Sequence, residues 1–182
     1  MNEHRLNMIV ACDQHNGIGK NNQIPWNIRS EMKFFQQITS YTRDSTKQNA
    51  IIMGRNTWES LKQKPLPNRI NVIISRTLDV QGGSKSVNVL IYASVEEALH
   101  KLPCDCPNLE SMFVIGGGQL YKKNLSHPIC TIDTLYYNVI RTDTEMNCDT
   151  FFPIQPLNHS EWRVVSCDQT HSEFVAYICK PN

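Results

Sequence analysis

The 182-residue sequence predicts one α/β domain over residues 1–182, built on a mixed and mostly parallel sheet. We expect about eight strands, an antiparallel C-terminal edge and about four flanking helices. The early part of the chain alternates short apolar runs with helical patterns, which is typical of parallel βα units. The part after residue 132 has apolar runs joined by loops, which is typical of antiparallel strands.

The first elements are a central strand, a long loop and a helix. Residues 6–12 form a continuous apolar run, as expected for a strand covered on both faces. Residues 13–23 follow as a loop rich in Gly and Asn, longer than a simple connection requires. A helix is predicted from about residue 28 to 39, after the break at Pro25.

One carboxylate falls on the apolar face of this helix. Ile28, Met32, Phe35 and Ile38 occur at helical spacing and define a stripe that we expect to be buried. Glu31 lies three residues after Ile28 and four before Phe35, so it should also point inward. A buried carboxylate is costly without a partner, and we therefore expect the protein or a ligand to supply one.

The later elements repeat a pattern of apolar strand, polar turn, and helix or loop. Ser94 and Glu97 form a capping box at the start of one of the helices. The further strands are predicted at residues 50–53, 70–74, 87–92, 112–115, 132–140, 162–166 and 173–179. The further helices are predicted at residues 55–61, 95–102 and 119–124.

Charge and targeting patterns narrow the class of protein. The balance of 18 basic and 17 acidic residues argues against a nucleic-acid partner or an anionic membrane surface. The apolar run at 6–12 is too short for a signal peptide or a membrane span. We therefore expect a cytoplasmic protein that acts on small molecules.

The seven cysteines are interpreted as reduced thiols. Their number is odd, and Cys12, Cys167 and Cys179 lie in strand-like runs. Cys104 and Cys106 lie near His100 and allow a metal interpretation. No second pair at ligand spacing accompanies them, so we expect no metal.

Three predicted strand ends carry groups suited to anions, at residues 54–57, 75–77 and 116–119. The first and third open helices, whose free N–H groups favour phosphate. Each alone is usually only a turn, but together they predict a dinucleotide cradle without a Rossmann fingerprint or a P-loop. Arg55 and Arg76 suit an additional phosphate monoester, which favours NADPH over NADH.

Motifs along nearly the whole chain resemble the dihydrofolate reductase family. They are IVA at 9–11, GIGKN at 17–21, IPW at 24–26, MGRNTW at 53–58, RINVIISR at 69–76, VIGGGQLY at 114–121 and DTFFP at 149–153. Glu31 stands where bacterial members usually have Asp, so the chain looks like the eukaryotic kind. Because the sequence stops at Asn182, we expect the monofunctional kind, without a fused thymidylate synthase domain. The resemblance implies NADPH-dependent reduction of 7,8-dihydrofolate to tetrahydrofolate, which supports one-carbon metabolism.

The resemblance also implies a pterin site. Glu31 would accept hydrogen bonds from the ring nitrogen and the 2-amino group, Trp26 would help to hold a water, and Arg69 would bind the glutamate α-carboxylate. The implied catalytic residues are Glu31, Trp26, Ile24 and Tyr121. The implied substrate-binding residues are Ile9, Val10, Ala11, Glu31, Met32, Phe35, Gln36, Ser60, Leu61, Leu66, Arg69, Ile115 and Asn138.

For the cofactor, the resemblance implies a nicotinamide that lies against Ala11 and the loop at 18–24. It also implies a lid at residues 17–23 and a cis peptide between the first two glycines of the triplet. Hydride would go to C6 of dihydrofolate, and the N5 proton would come from water. The implied cofactor-binding residues are Ala11, Ile18, Gly19, Lys20, Asn21, Asn22, Gln23, Ile24, Gly54, Arg55, Asn56, Thr57, Ser75, Arg76, Thr77, Gly116, Gly117, Gly118, Gln119, Leu120 and Tyr121.

Three positions depart from the family pattern. Asn138 stands where a Thr usually hydrogen-bonds the carboxylate, Ala93 where vertebrate members often have an Arg, and Met32 where they often have an aromatic residue.

The expected ligands are dihydrofolate, folate and antifolate inhibitors, and we expect a monomer.

Two other functions remain open. One is a related pterin or pyrimidine reductase of the same fold, such as the reductase of riboflavin synthesis, which would not need Glu31 and Arg69 together. The other is a non-catalytic folate- or nucleotide-binding module, which could keep the cradle without the pair Trp26 and Glu31.

Overall fold

The computed structural model describes residues 5–78, 88–126, 132–142 and 146–182. The strands are β1 (Arg5–Cys12), β2 (Gly17–Gly19), β3 (Gln48–Gly54), β4 (Arg69–Ile74), β5 (Val89–Tyr92), β6 (Leu109–Gly116), β7 (Ile132–Ile140), β8 (Thr150–Phe151), β9 (Trp162–Asp168) and β10 (Phe174–Pro181). The helices are α1 (Arg29–Ser40), α2 (Arg55–Ser60), α3 (Val95–Asp105) and α4 (Gly118–Leu125), with a 3₁₀ turn at Pro156–Asn158.

Eight strands form one sheet in the order β5-β4-β3-β6-β1-β7-β10-β9. All neighbours are parallel as far as β7, whereas β10 runs antiparallel to both β7 and β9. The predicted mixed sheet with an antiparallel C-terminal edge is therefore confirmed. Because β1 lies between β6 and β7, its carboxyl end opens at the centre of the sheet.

The central strands are buried on both faces, as the continuous apolar run of β1 predicted. Met8 and Val10 pack into one cluster with side chains of α3 and α4, and Ile9 packs into another with side chains of α1 and α2. Phe35 and Ile38 contribute to the second cluster. The helices therefore cover the sheet in pairs, two on each face.

Met32 does not belong to a buried stripe, and this part of the prediction was wrong. Its side chain is 58% exposed, whereas Glu31 beside it is 8% exposed. The reason is positional, because the first half of α1 borders a cavity in which both Met32 and Glu31 are lining residues. Helical periodicity cannot tell a core face from a cavity face.

α3 is longer than its sequence pattern predicted. Ser94 Oγ accepts the Glu97 N–H at 3.2 Å, and Glu97 Oε2 accepts the Ala93 N–H at 2.8 Å, so the reciprocal bond of the box is shifted by one residue. The helix continues through Pro103 to Asp105, although Pro103 lacks the N–H that would donate to the Leu99 carbonyl.

Two short strands were not predicted from the sequence. β2 and β8 pair antiparallel, and the pairing joins the loop after β1 to the segment before the 3₁₀ turn. Strands of two or three residues carry no detectable alternation.

No helix in the described part of the chain is long and apolar enough to cross a membrane. Within the same residues no group of three or more His, Cys, Asp or Glu side chains could hold a metal ion. Cys104 and Cys106 are free thiols.

Candidate active site

A cavity of about 1190 Å³ lies at the carboxyl edge of the parallel strands. It is bordered by the ends of β1, β3, β4 and β6, by the loop after β1, and by α1, α2 and α4. All but three of the predicted site residues line it, and the exceptions are Lys20, Asn21 and Asn138. The carboxyl edge of an open α/β sheet is where ligands are expected to bind.

The exceptions have different causes. Lys20 and Asn21 lie in a tight turn in which the backbones of Lys20 and Gln23 exchange hydrogen bonds of 2.9 Å. Asn21 has a φ of 51°, typical of such a turn, and both residues are exposed. Asn138 is fully buried and contacts Glu31 from behind the cavity.

Glu31 is held by Asn138. Asn138 Nδ2 donates to Glu31 Oε1 at 3.2 Å. Asn138 therefore donates a hydrogen bond to the carboxylate, as the Thr that the family usually has at this position would. Burial raises the pKa of Glu31, and the hydrogen bond from Asn138 opposes this change by favouring the charged form. Trp26 lines the same cavity, and its buried Nε1 has no hydrogen-bond partner in the described chain.

The raised pKa predicts that Glu31 reduces stability at neutral pH. Because the folded protein holds the Glu31 proton more tightly than the unfolded chain, the stabilisation is complete below the unfolded pKa and is lost as pH rises through the folded pKa. We expect Glu31→Gln to raise the melting temperature at pH 7 by a few degrees, since each kcal/mol corresponds to about 2–4 °C in a domain of this size. Thermal melts at neutral and acidic pH test this. An equal difference at both pH values would contradict it.

Tyr121 fixes the end of β1 against the glycine triplet. Its hydroxyl donates to the Ile9 carbonyl at 2.8 Å, and burial raises its pKa, so the phenol stays neutral. Gly116 has a φ of 125°, and the Gly116–Gly117 peptide is cis, as the resemblance implied. A Cβ on Gly116 would lie 3.4 Å from the Tyr121 hydroxyl oxygen. Both the positive φ and this close contact therefore favour glycine at position 116.

The starts of α2 and α4 lie side by side and are open to an anion. Their N-cap residues are Gly54 and Gly117, and neither helix has a side-chain cap. A Cβ on Gly54 would be 3.9 Å from the Gly117 nitrogen, and one on Gly117 would be 3.2 Å from Thr57 Oγ1. Free N–H groups at two adjacent helix starts fit the diphosphate of a dinucleotide.

The two arginines predicted for a phosphate monoester differ in availability. Arg55 Nε is paired with Glu59 Oε1 at 2.6 Å, and its Nη1 is 3.4 Å from Thr77 Oγ1. Arg76 is exposed, lines the cavity and has no ion pair among the described residues. Ser75 Oγ accepts the Thr77 N–H at 3.3 Å and so shapes the turn that carries Arg76.

Arg69 is a buried guanidinium with no acidic partner in the described chain. It is 3% exposed, and its Nε donates to the Pro67 carbonyl at 2.9 Å and its Nη1 to Thr39 Oγ1 at 2.8 Å. The guanidinium carbon lies 5.9 Å from the Phe35 ring centroid, and burial lowers the Arg69 pKa. The remaining N–H groups form a rigid fork suited to a carboxylate.

The loop after β1 is attached at its base and near its tip. The Asp13 carboxylate accepts the backbone N–H groups of His15 at 2.8 Å and Gly17 at 2.7 Å. Asp149 Oδ2 accepts the Asn21 N–H at 2.7 Å, and the Asp149 N–H donates to the Gly19 carbonyl at 3.0 Å. These bonds hold the loop in a conformation that covers one side of the cavity.

Several lining residues were not predicted as site residues. Arg29 and Lys33 lie four residues apart on α1, and this spacing could have shown that both side chains lie on the same face of the helix. Thr150 lies in the DTFFP motif and also lines the cavity. The cavity lining contains five basic residues and one acidic residue, Glu31, which suits anionic ligands. The other lining residues not predicted are Gln63, Pro67, Ile74 and Ala93.

Comparison with known proteins identifies a family. A family model described as "Dihydrofolate reductase" matches residues 5–179. A "Dihydrofolate reductase" of Pneumocystis carinii is 36% identical over 188 residues, with 98% of this chain and 88% of the relative covered. A "Dihydrofolate reductase" of Heliothis virescens is 34% identical over 155 residues, with 84% and 81% covered.

Other relatives are longer. The "Bifunctional dihydrofolate reductase-thymidylate synthase 1" of Arabidopsis thaliana is 42% identical over 153 residues, which cover 80% of this chain. This chain spans 28% of that relative and 33% of the bifunctional relative from Zea mays. It therefore matches only part of the bifunctional proteins.

Proposed function

Because the chain belongs to the dihydrofolate reductase family, we propose that it catalyses the NADPH-dependent reduction of 7,8-dihydrofolate to 5,6,7,8-tetrahydrofolate. The observation that carries the proposal is the presence of buried Glu31, Trp26 and buried Arg69 in one cavity. A related pterin or pyrimidine reductase would not need both charged groups, and a binding module would not need Trp26 beside Glu31.

The substrate would bind through its two ends. Glu31, with Asn138 behind it, would accept hydrogen bonds from the ring nitrogen and the 2-amino group of the pterin. Phe35 and Leu61 line the cavity, pack in the same apolar cluster and would contact the benzoyl ring. Arg69, already oriented by Thr39 and Pro67, would bind the α-carboxylate of the glutamate. These contacts suit antifolates that carry the same groups.

The cofactor would bind along the adjacent glycine-bearing edge. The uncapped starts of α2 and α4 suit its diphosphate, and the exposed Arg76 suits a phosphate on its adenosine. When bound, the nicotinamide supplies the hydride that reduces C6 of the pterin. Ala11 and Ile18 also line the cavity and would exclude water from the reacting atoms.

The role of Glu31 would be to orient and polarise the ring. In a pose that pairs it with the ring nitrogen and the 2-amino group, its carboxylate faces the edge remote from N5. The N5 proton would therefore come from water. The loop that is held by Asp149 would close over the reacting atoms as a lid.

The direct test follows NADPH absorbance after dihydrofolate is added to the protein under reducing conditions. We expect loss of absorbance that requires both compounds. No loss would overturn the assignment, while turnover of a pyrimidine or another pterin substrate in its place would favour the related reductase.

Gel filtration tests the proposed monomeric, single-domain state, and cell fractionation tests the cytoplasmic location.

Arg76 should control the choice between NADPH and NADH. Since Arg55 is paired with Glu59, Arg76 is the stronger candidate for the adenosine phosphate. We expect Arg76→Gln to weaken NADPH binding by roughly 10-fold while leaving NADH binding unchanged, the loss of about one charge-assisted interaction. Fluorescence titrations with both cofactors measure this, and Lys122→Gln, outside the cavity lining, is the matched control. Equal weakening for NADPH and NADH would contradict the assignment.

A further inference from the structure

Asn16 lies near the start of the loop after β1 and is only 9% exposed, although loop residues usually lie on the surface. Its φ is 64°, in the left-handed region, which Asn tolerates better than most residues. Its N–H donates to the Asp13 carbonyl at 3.1 Å, so residues 13–16 form a tight turn. The side chain of Asn16 therefore lies in the interior, at the point where the chain enters β2.

Both ends of the Asn16 side chain are bonded to other elements. Oδ1 accepts the hydroxyl of Tyr137 on β7 at 2.5 Å, and Nδ2 donates to the Ile154 carbonyl at 3.0 Å. The Asn16 carbonyl also accepts the Phe152 N–H at 2.8 Å. Tyr137 is 4% exposed, and burial raises its pKa, so the phenol stays protonated and donates. We call the pair Asn16 and Tyr137 the clasp, because it joins the loop to the central sheet.

The clasp fixes the paired strands β2 and β8 at the border of the cavity. Gly17 follows Asn16 directly, and a Cβ on Gly17 would lie 2.5 Å from Cys148 Sγ, so the start of β2 is closely packed. Ile18 of β2 and Thr150 of β8 both line the cavity. A Cβ on Gly118, the first residue of α4, would lie 2.9 Å from Thr150 Cγ2 and 3.8 Å from Ile18 Cδ1. The two strands therefore pack directly against the start of α4.

The clasp is also continuous with one wall of the site. The ring centroid of Phe152 lies 6.0 Å from that of Tyr137 and 5.2 Å from that of Tyr121. Tyr121 in turn is bonded to the Ile9 carbonyl at the cavity. Loss of the Tyr137 hydroxyl would leave a buried oxygen of Asn16 without its donor, which is costly in the closed structure and favours opening of the loop.

We propose that Asn16 and Tyr137 are positioning residues for the proposed hydride transfer, because they hold β2 where Ile18 borders the start of α4. The inference rests on the proposed function, in which the cofactor diphosphate lies at the starts of α2 and α4. Neither member of the clasp lines the cavity, so both act through the loop. Asp149 holds the same loop near its tip, and the clasp supplies a second attachment at its base. A loop attached at both places loses less conformational entropy when it covers a cofactor.

The first test measures loop opening with trypsin, because Lys20 is exposed in this loop. Tyr137→Phe removes only the hydroxyl, and Asn16→Gly keeps the positive φ but removes the amide. Tyr136→Phe is the matched control, since Tyr136 is adjacent on β7 but packs into the other apolar cluster, with Ile9. We expect fragments that end at Lys20 to form about 5- to 10-fold faster in the two clasp variants than in the wild type and the control, since cleavage follows the population of the open loop.

The second test separates positioning from folding. In stopped-flow experiments, we expect NADPH to dissociate about 5- to 10-fold faster from Tyr137→Phe, and hydride transfer to slow by a similar factor. Dihydrofolate affinity should be unchanged, because Glu31 and Arg69 keep their bonds. The double variant should behave like Asn16→Gly alone, since either substitution removes the same hydrogen bond between the two residues.

A lower melting temperature with unchanged cleavage after Lys20 and unchanged NADPH dissociation would make the clasp a structural feature and would overturn the proposal. Equal weakening of dihydrofolate and NADPH binding would also overturn it, since the damage would then extend beyond the loop. Failure of the proposed function is seen separately, as a wild type that does not oxidise NADPH when dihydrofolate is present. In that case the role in hydride transfer fails with it, while trypsin cleavage reports on the clasp without turnover.

Discussion

Replacement of Glu31 by Ala is expected to lower the rate of hydride transfer to dihydrofolate by about 100-fold or more. The substitution removes the buried acceptor that would orient the pterin, and it leaves the Asn138 N–H without its partner. NADPH binding should be nearly unchanged, because the uncapped starts of α2 and α4 belong to other elements than α1, which carries Glu31. Stopped-flow measurement of NADPH loss in a single turnover gives the rate, and titration gives the affinity.

Glu31→Gln is the matched control for this experiment. It keeps the side-chain length and one oxygen that can accept from Asn138, but it carries no charge. We expect it to lose most of the rate despite a higher melting temperature, which separates chemistry from folding. Equal loss of hydride transfer and NADPH affinity in Glu31→Ala would instead make Glu31 a structural group.

The second large effect is expected at Arg69. Arg69→Lys should weaken dihydrofolate binding by roughly 10- to 100-fold, since truncation of one partner of a buried charge pair costs about 2–5 kcal/mol and Lys retains part of the attraction. Lys cannot hold Pro67 and Thr39 while it also presents two parallel N–H groups to a carboxylate. Equilibrium titration with dihydrofolate measures the loss.

A substrate fragment supplies the control for Arg69. A pteroate, which lacks the glutamate, should bind the wild type and Arg69→Lys with similar affinity. If the variant loses the same factor for dihydrofolate and for the fragment, Arg69 acts by supporting the fold and not by binding the α-carboxylate. Unchanged affinity for both ligands would show that Arg69 does not face the substrate.

The buried central strand and the ligand-binding edge of the sheet could be anticipated from local patterns. The continuous apolar run of β1 indicated burial on both faces, and the polar turns after β3, β4 and β6 indicated ligand contacts at one edge. These features depend on residues close together in sequence, so periodicity and turn chemistry are enough to detect them.

Helical periodicity did not predict burial correctly where a helix face borders the cavity. Met32 follows the same helical spacing as Phe35, yet Met32 is 58% exposed, because it borders the cavity. The short pairing of β2 with β8 was also missed, since it brings Gly17 and Gly19 to Phe151 and Thr150 across more than 100 residues of chain. Local sequence carries no information on such a long-range pairing.

The sequence alone determined which groups the site contains: an inward carboxylate at Glu31, glycines at the helix starts, and Arg69 beside a buried strand. Only the tertiary structure decided which of them are available to a ligand. It pairs Arg55 with Glu59, leaves Arg76 without an ion pair in the described chain, and directs the Asn138 N–H to Glu31. The physical reason is that a local pattern specifies residue chemistry and burial, whereas hydrogen-bond partners are chosen by side chains that meet only after the sheet has formed.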